Sequence, residues 1–160
     1  MLIRSANPDD QEAIWEIIAP IIAKGDTYVF HPKSSKEQML NYWLGKDKYT
    51  FVALRADKIV GTYVLKDNHP DLGAHITNAS YMVHQQHHGQ GIGKAMGLHS
   101  INKARELGYK AMQFNFVVST NHGAIKLWQN LGFKVIGTIP EAYQHQQLGL
   151  VDALIMHRKI

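Results

Sequence analysis

Hydrophobic positions along the chain fall into two periods. Ile14, Ile17, Ile18, Ile21 and Ile22 recur every three or four residues, the stripe of an amphipathic helix. Asn7-Pro8 ahead of them has the form of an N-cap with proline at the first helical position. Pro20 inside the stripe predicts a kink or an end near Ala19. Met39, Leu40 and Trp43 mark one side of a second helix, beginning at Ser34 or Ser35 and running to about Leu44. Gly97, Leu98, Ile101 and Ala104 share a face of a third, from Gly91 to Leu107, with Gly108 as its stop. Ala124, Leu127, Trp128 and Leu131 define a fourth, capped by Thr120 or Asn121 and ended by Gly132. Between these lie short runs with strand character: Leu2 to Arg4, Tyr49 to Arg55, Lys58 to Leu65, His75 to Val83, Met112 to Val118, Phe133 to Ile139 and Val151 to His157. Ala56-Asp57 is a tight turn, and a polar loop carrying Tyr143 and His145 joins the last two runs. The order β-α-α-β-β-β-α-β-α-β-β, with hairpins early and β-α-β units late, predicts an α/β (α+β) fold: one mixed sheet with helices on its faces.

Composition sharpens this only a little. At 160 residues the chain suits one domain, 1–160, with a sizeable core. There is no cysteine, which excludes disulfides, thiolate metal sites and a cysteine nucleophile. The start, MLIRSANPDD, lacks the apolar stretch of a signal peptide, and no run approaches the ~18 apolar residues of a spanning helix. A cytoplasmic protein without a membrane partner is expected. The net charge of +4 is scattered rather than blocked, so no nucleic-acid surface is expected, though the surplus favours an anionic ligand.

Candidate chemistry concentrates in Val83–Lys94, VHQQHHGQGIGK. An apolar run stops, a polar turn follows, and Gly89, Gly91 and Gly93 open a helix. Glycine lets the backbone come close to a ligand. The first amides of a helix have no partner inside it, and the helix dipole is positive there, which together make a phosphate seat. A Walker A loop does not fit: Gly89 and Gly93-Lys94 enclose three residues rather than four, and Ala95 stands where a hydroxyl is needed. A dinucleotide fingerprint does not fit either, because the following strand ends Val117-Val118-Ser119 without a carboxylate.

The strand ending at Val83 followed by His88-Gly89-Gln90-Gly91-Ile92-Gly93 resembles motif A of the GCN5-related N-acetyltransferases (GNAT). Asn121 to Phe133, NHGAIKLWQNLGF, resembles their motif B. The resemblance spans essentially the whole chain. It implies a mixed, mostly antiparallel, splayed sheet of six to seven strands with about four helices packed on both faces. It implies acetyl-CoA as cosubstrate and no metal. The pantetheine arm would pair with the backbone at Tyr81, Met82 and Val83, the diphosphate would lie on His88, Gly89, Gln90, Gly91, Ile92, Gly93 and Lys94, and Asn121 would touch the cofactor arm besides capping its helix. Within the family, the stretches around Phe114 to Asn121 and Ile136 to Pro140 look most like azetidine-2-carboxylate and proline-analogue acetyltransferases, and Gly25 to Phe30 is similar to phosphinothricin-type enzymes. These similarities imply a small amino- or imino-acid acceptor, with Tyr28, Phe30, Asn78 and Asn115 lining its site.

Asn78 and Asn115 are also the residues placed at the reaction centre, where the Met82 amide would hold the oxyanion of a direct attack by a neutral amine. Two departures from the family pattern stand out. His88 replaces the usual Arg or Gln, and Trp128 replaces the tyrosine that protonates the leaving thiolate in many relatives. Tyr81, His84, Tyr143 and His145 remain as spare acids or bases. His84, His87 and His88 form no convincing metal set, since no Cys or carboxylate accompanies them. Trp43, Phe51 and Trp128 fit the core. The remaining alternatives are a protein N-terminal or lysine acetyltransferase and a CoA-binding module without turnover. A homodimer through the C-terminal strands is possible.

Overall fold

The computed structural model describes residues Met1–Ile160. Its strands are β1 (Leu2–Ser5), β2 (Tyr49–Arg55), β3 (Lys58–Asp67), β4 (Ile76–Val83), β5 (Ala111–Val118), β6 (Lys134–His145) and β7 (Gly149–Lys159). Its α-helices are α1 (Gln11–Lys24), α2 (Lys36–Trp43), α3 (Ile92–Glu106) and α4 (His122–Asn130). The strands form one sheet in the order β1-β2-β3-β4-β5-β7-β6. Every neighbouring pair is antiparallel except β4–β5, which is parallel.

Local chemistry accounts for most of the element ends. Asn7 and Asp10 form a reciprocal capping box around a 3-10 turn that leads into α1. Ser35 and Gln38 do the same for α2. Ala56 and Asp57 both have positive φ, 46° and 60°, the backbone that lets a two-residue turn match the twist of β2 and β3. Val52, Val64 and Met82 point from the sheet to a core with Ile14, Ile17, Ile18, Ile22 and Trp43 of α1 and α2. On the other face Ala53, Tyr63, Leu65 and Phe114 meet Met96, Ile101 and Trp128 of α3 and α4. Strand residues of opposite parity thus feed two cores. Trp43, Phe51 and Trp128 are all buried, as expected.

Three expectations need correction. Helix α1 does not end near Ala19 but continues through Pro20 to Lys24. Proline forfeits one backbone bond, but Ile14, Ile17 and Ile18 before it and Ile22 after it are held in the same core, which outweighs the loss. Leu98 is 47% exposed and does not share the buried face of Gly97, Ile101 and Ala104. Tyr143 and His145 lie in β6 rather than in a loop, because β6 and β7 continue as a long hairpin. Its register slips between Val135 and Gly137 and between Ile139 and Tyr143, next to Pro140 and to Glu141 with φ 48°. An edge strand tolerates such bulges and a proline without losing the ladder.

Candidate active site

Strands β4 and β5 pair only through Ile76↔Ala111 and Thr77↔Met112 and then diverge. The side-chain amide of Asn78 bridges the divergence, donating to the Gln113 carbonyl at 3.0 Å. Beyond it the sheet opens into a gap. The phase of the β3–β4 ladder fixes which backbone groups face that gap. Asn68 donates to Ile76 and His84 donates to Val60, so the even-numbered residues of β4 bond to β3. The groups of Ala79, Tyr81 and Val83 therefore face the gap. Met82 pairs with Thr62, and its amide is turned away from the gap while its side chain fills the α1–α2 core. The expectation that the Met82 amide faces the reaction gap is corrected: strand alternation turns it toward β3 and leaves the groups of its neighbours facing the gap.

Two gap-facing carbonyls already have partners. The Tyr28 hydroxyl donates to the Tyr81 carbonyl. His88 Nε2 donates to the Val83 carbonyl at 2.9 Å, so its ring lies along the strand end rather than out over the glycine turn. A carbonyl oxygen has two lone pairs, and each can accept a second bond.

At the wide end of the gap, Gly89 and Gly91 adopt left-handed backbone, φ 73° and 79°, with open space where a Cβ would stand. Gly91 is the N-cap of α3 and offers no side-chain cap. Consequently none of the amides from Gly89 through Lys94 donates to any acceptor in the chain, the first α3 bond running from Ala95 to Gly91. Arg55, from the β2–β3 hairpin, donates to the Gln90 side chain and adds a positive charge at this turn. Asn121 caps α4, its side chain accepting from the Ala124 amide at 3.2 Å.

On the α1–α2 face of the gap lies a cleft of about 270 Å³. Tyr28, Phe30, Asn78 and Asn115, the four residues expected to line an acceptor site, converge there, together with Tyr42 of α2 and Ser80 of β4. The last two escaped the sequence reading, although Ser80 has the same strand parity as Asn78. Asn78 keeps its Oδ1 free of any bond within the chain. Asn115 is committed at both ends: Oδ1 accepts from Gln113 at 3.0 Å, and Nδ2 donates to Asn68 at 2.6 Å. The roof comes from the α1–α2 loop, tied to the C-terminal hairpin by Tyr143 donating to the Tyr28 carbonyl at 3.0 Å and by Gln146 donating to Gly25.

The spare proton carriers are mostly occupied. Burial pushes the Tyr81 phenol well above its ordinary range, and it is bonded to Ser100 Oγ at 2.7 Å beneath the sheet. Burial likewise raises Tyr28 and Tyr143. His145 Nδ1 accepts from Gln147 and Leu148 amides and closes the β6–β7 turn. His84 Nδ1 accepts from the Gln86 amide at 3.3 Å. Trp128 lies across the divergence from the α3–α4 face, its ring 4.6 Å from Tyr81 of β4 and 4.7 Å from Phe114 of β5. Gly97 makes room for it: a Cβ there would fall 2.6 Å from Leu131 Cδ1 and 3.1 Å from Trp128 Cζ3.

The parallel strand pair splays in mid-sheet and ends at an uncapped glycine turn, which leaves an open gap with a row of free amides at its mouth. The Acetyltransferase (GNAT) family model matches residues 15–133, and the chain belongs to that family. A GCN5-related N-acetyltransferase from Kribbella flavida is similar at 40% identity and a TM-score of 0.94, covering 99% of this chain and 97% of that one. A phosphinothricin acetyltransferase from Sinorhizobium meliloti, solved in complex with AcCoA, shares the fold at 21% identity, with a TM-score of 0.88 and coverage of 99% and 88%. The N-acetyltransferase aca1 of Schizosaccharomyces pombe is 34% identical over 100 residues, which are 61% of this chain and 47% of that protein. The match thus spans about half the length of this curated relative. No helix of the chain is long and apolar enough to cross a membrane.

Proposed function

We propose that the protein moves the acetyl group of acetyl-CoA to the amine of a small amino-acid- or imino-acid-like acceptor, by direct attack in a ternary complex. The observation that carries this is the unbroken run of unpartnered amides from Gly89 through Lys94 at the mouth of the β4–β5 divergence. Such a run is a fitted seat for a diphosphate. From there the gap-facing groups of Ala79, Tyr81 and Val83 would pair with an amide-bearing arm laid along β4, and one of those amides would hold the thioester oxygen. The S. meliloti neighbour and yncA from Salmonella typhimurium are described with acetyl-CoA bound, which supports the same use of the fold here.

On the opposite face the cleft beside Asn78 would present the amine. The free Asn78 Oδ1 accepts one amine N–H and orients the nitrogen lone pair toward the thioester carbon. The N–C bond forms and the C–S bond breaks. No carboxylate lines the cleft, so the amine reacts as its free base and gives its surplus proton to water. The Trp128 indole N–H is far too weak an acid to give up its proton, so the leaving sulfur departs as thiolate and is protonated from solvent, a small penalty for a thiol of pKa about 8.5. Proximity and the oriented amides carry the rate.

The test is thiol release from acetyl-CoA across amino acids, imino acids, simple amines and peptides with free N-termini or lysines. Turnover of small amino or imino acids supports the proposal. Turnover of peptides alone would replace it with a protein acetyltransferase, and tight CoA binding without turnover would replace it with a regulatory module.

A further inference from the structure

The acceptor cleft itself has no charged lining, yet two ammonium groups stand over one of its walls. Lys48 Nζ is 4.5 Å from the centroid of the Tyr42 ring, and Lys66 Nζ is 5.7 Å from it. Lys48 is neutralised by Asp47 at 2.8 Å. Lys66 enters none of the chain's ion pairs and makes no side-chain hydrogen bond. Asp47 cannot balance both ammonium groups, so one positive charge at this wall is uncompensated. Lys66 is also the cross-strand partner of Asn78 in the β3–β4 register, and residues in register on one face of a sheet stand side by side. Asn78 and Tyr42 both line the cleft.

We propose that Lys66 is the anion-recognising residue of the acceptor site, and that the acceptor carries a carboxylate close to its reacting nitrogen. This rests on the acetyl-transfer reading above and narrows its substrate class. With the amine on Asn78 Oδ1, an anion one strand away, about 5 Å, meets the Lys66 ammonium. That spacing suits an α-amino or α-imino acid, whose carboxylate is one carbon from the nitrogen. The aromatic walls Tyr28, Phe30 and Tyr42 accept an apolar body between the two ends. A simple amine would leave the ammonium without its counter-ion, and a peptide N-terminus presents a neutral amide at the same place.

The experiment compares wild-type protein with Lys66→Met and Lys66→Arg on paired acceptors, each amino or imino acid beside its primary carboxamide. Wild type is expected to favour the acid. Lys66→Met should lose about 10–100-fold in kcat/KM on the acid, the usual weight of a hydrogen bond to a charged group. It should change less than twofold on the carboxamide and in KM for acetyl-CoA. Lys66→Arg should restore most of the preference. Equal loss on acid and amide, or a wild type indifferent to the carboxylate, overturns the Lys66 assignment while leaving acetyl transfer standing. Turnover of neither by the wild type overturns both. Unfolding temperatures of the variants separate a misfolded protein from a changed preference.

Discussion

Replacing Gly91 by glutamate tests the diphosphate seat, with Gly91→Ala as its control. Gly91 has φ 79° and open space where a Cβ would stand, so the first atom of either side chain meets nothing. Both replacements carry the left-handed strain of an L-residue, about 1–2 kcal/mol. Only glutamate adds a negative charge beside the amides that would hold the anion. At roughly 6 Å from two diphosphate charges and an effective dielectric of about 40, between surface and bulk values, the repulsion is about 1.4 kcal/mol per charge. The pair sums to about 3 kcal/mol, on the order of a 100-fold weaker CoA affinity than in the alanine variant. Calorimetric titration with CoA at two salt concentrations measures it, and the penalty should shrink as salt rises. If Gly91→Glu binds CoA as tightly as Gly91→Ala does, the ligand's charge is not at this turn and the functional proposal loses its main support.

Three further outcomes are expected. Asn115→Ala should raise the acceptor KM several-fold, because Gln113 and Asn68 lose the side chain that braces them, while CoA affinity holds; matching losses of unfolding temperature and turnover would make Asn115 purely structural. Asp10 accepts from Arg4 at 2.7 and 2.8 Å and from the Asn7 amide, and the Arg4 bond holds its carboxyl below the usual range. A lowered folded pKa stabilises above the unfolded value near 3.9 and is lost as pH falls through the folded one. Asp10→Asn should therefore cost about 1.5–3 kcal/mol at pH 7, with the gap to wild type closing in thermal melts as the pH is lowered through the folded pKa; a constant offset at every pH would refute the linkage. Val135, Ile136 and Ile139 are exposed at 40%, 58% and 36% on edge strand β6, so a dimer is expected by light scattering, with Ile136→Lys shifting it to monomer.

The helices and the glycine turn were legible in the sequence because each is written within a dozen neighbouring residues. Ser35 and Gln38 announce α2, and Gly89, Gly91 and Gly93 announce the start of α3. What stayed hidden depends on pairing. Whether Met82 or its neighbours face the gap is a matter of ladder phase, and one residue of parity reverses the answer. The β6–β7 hairpin was shortened in the sequence reading because Pro140 and the polar residues around it have the composition of a loop, and only the edge position of β6 makes them tolerable in a strand. Asn78 and Asn115 were named by resemblance, and both line the cleft. Lys66 was not, since nothing local distinguishes it from the other lysines until Tyr42 and Asn78 are brought beside it.

The bond from Tyr143 to Tyr28 joins residues 115 positions apart, whereas the turn that opens α3 is built from one short stretch. The two halves of the site must therefore mature on different schedules during folding. The nucleotide-facing half can organise as soon as its own strand and helix meet, but the amine-facing half waits for the last hairpin to dock. Inheritance can treat them separately too: changes in the tail can retune which amine is admitted without disturbing how the thioester is held.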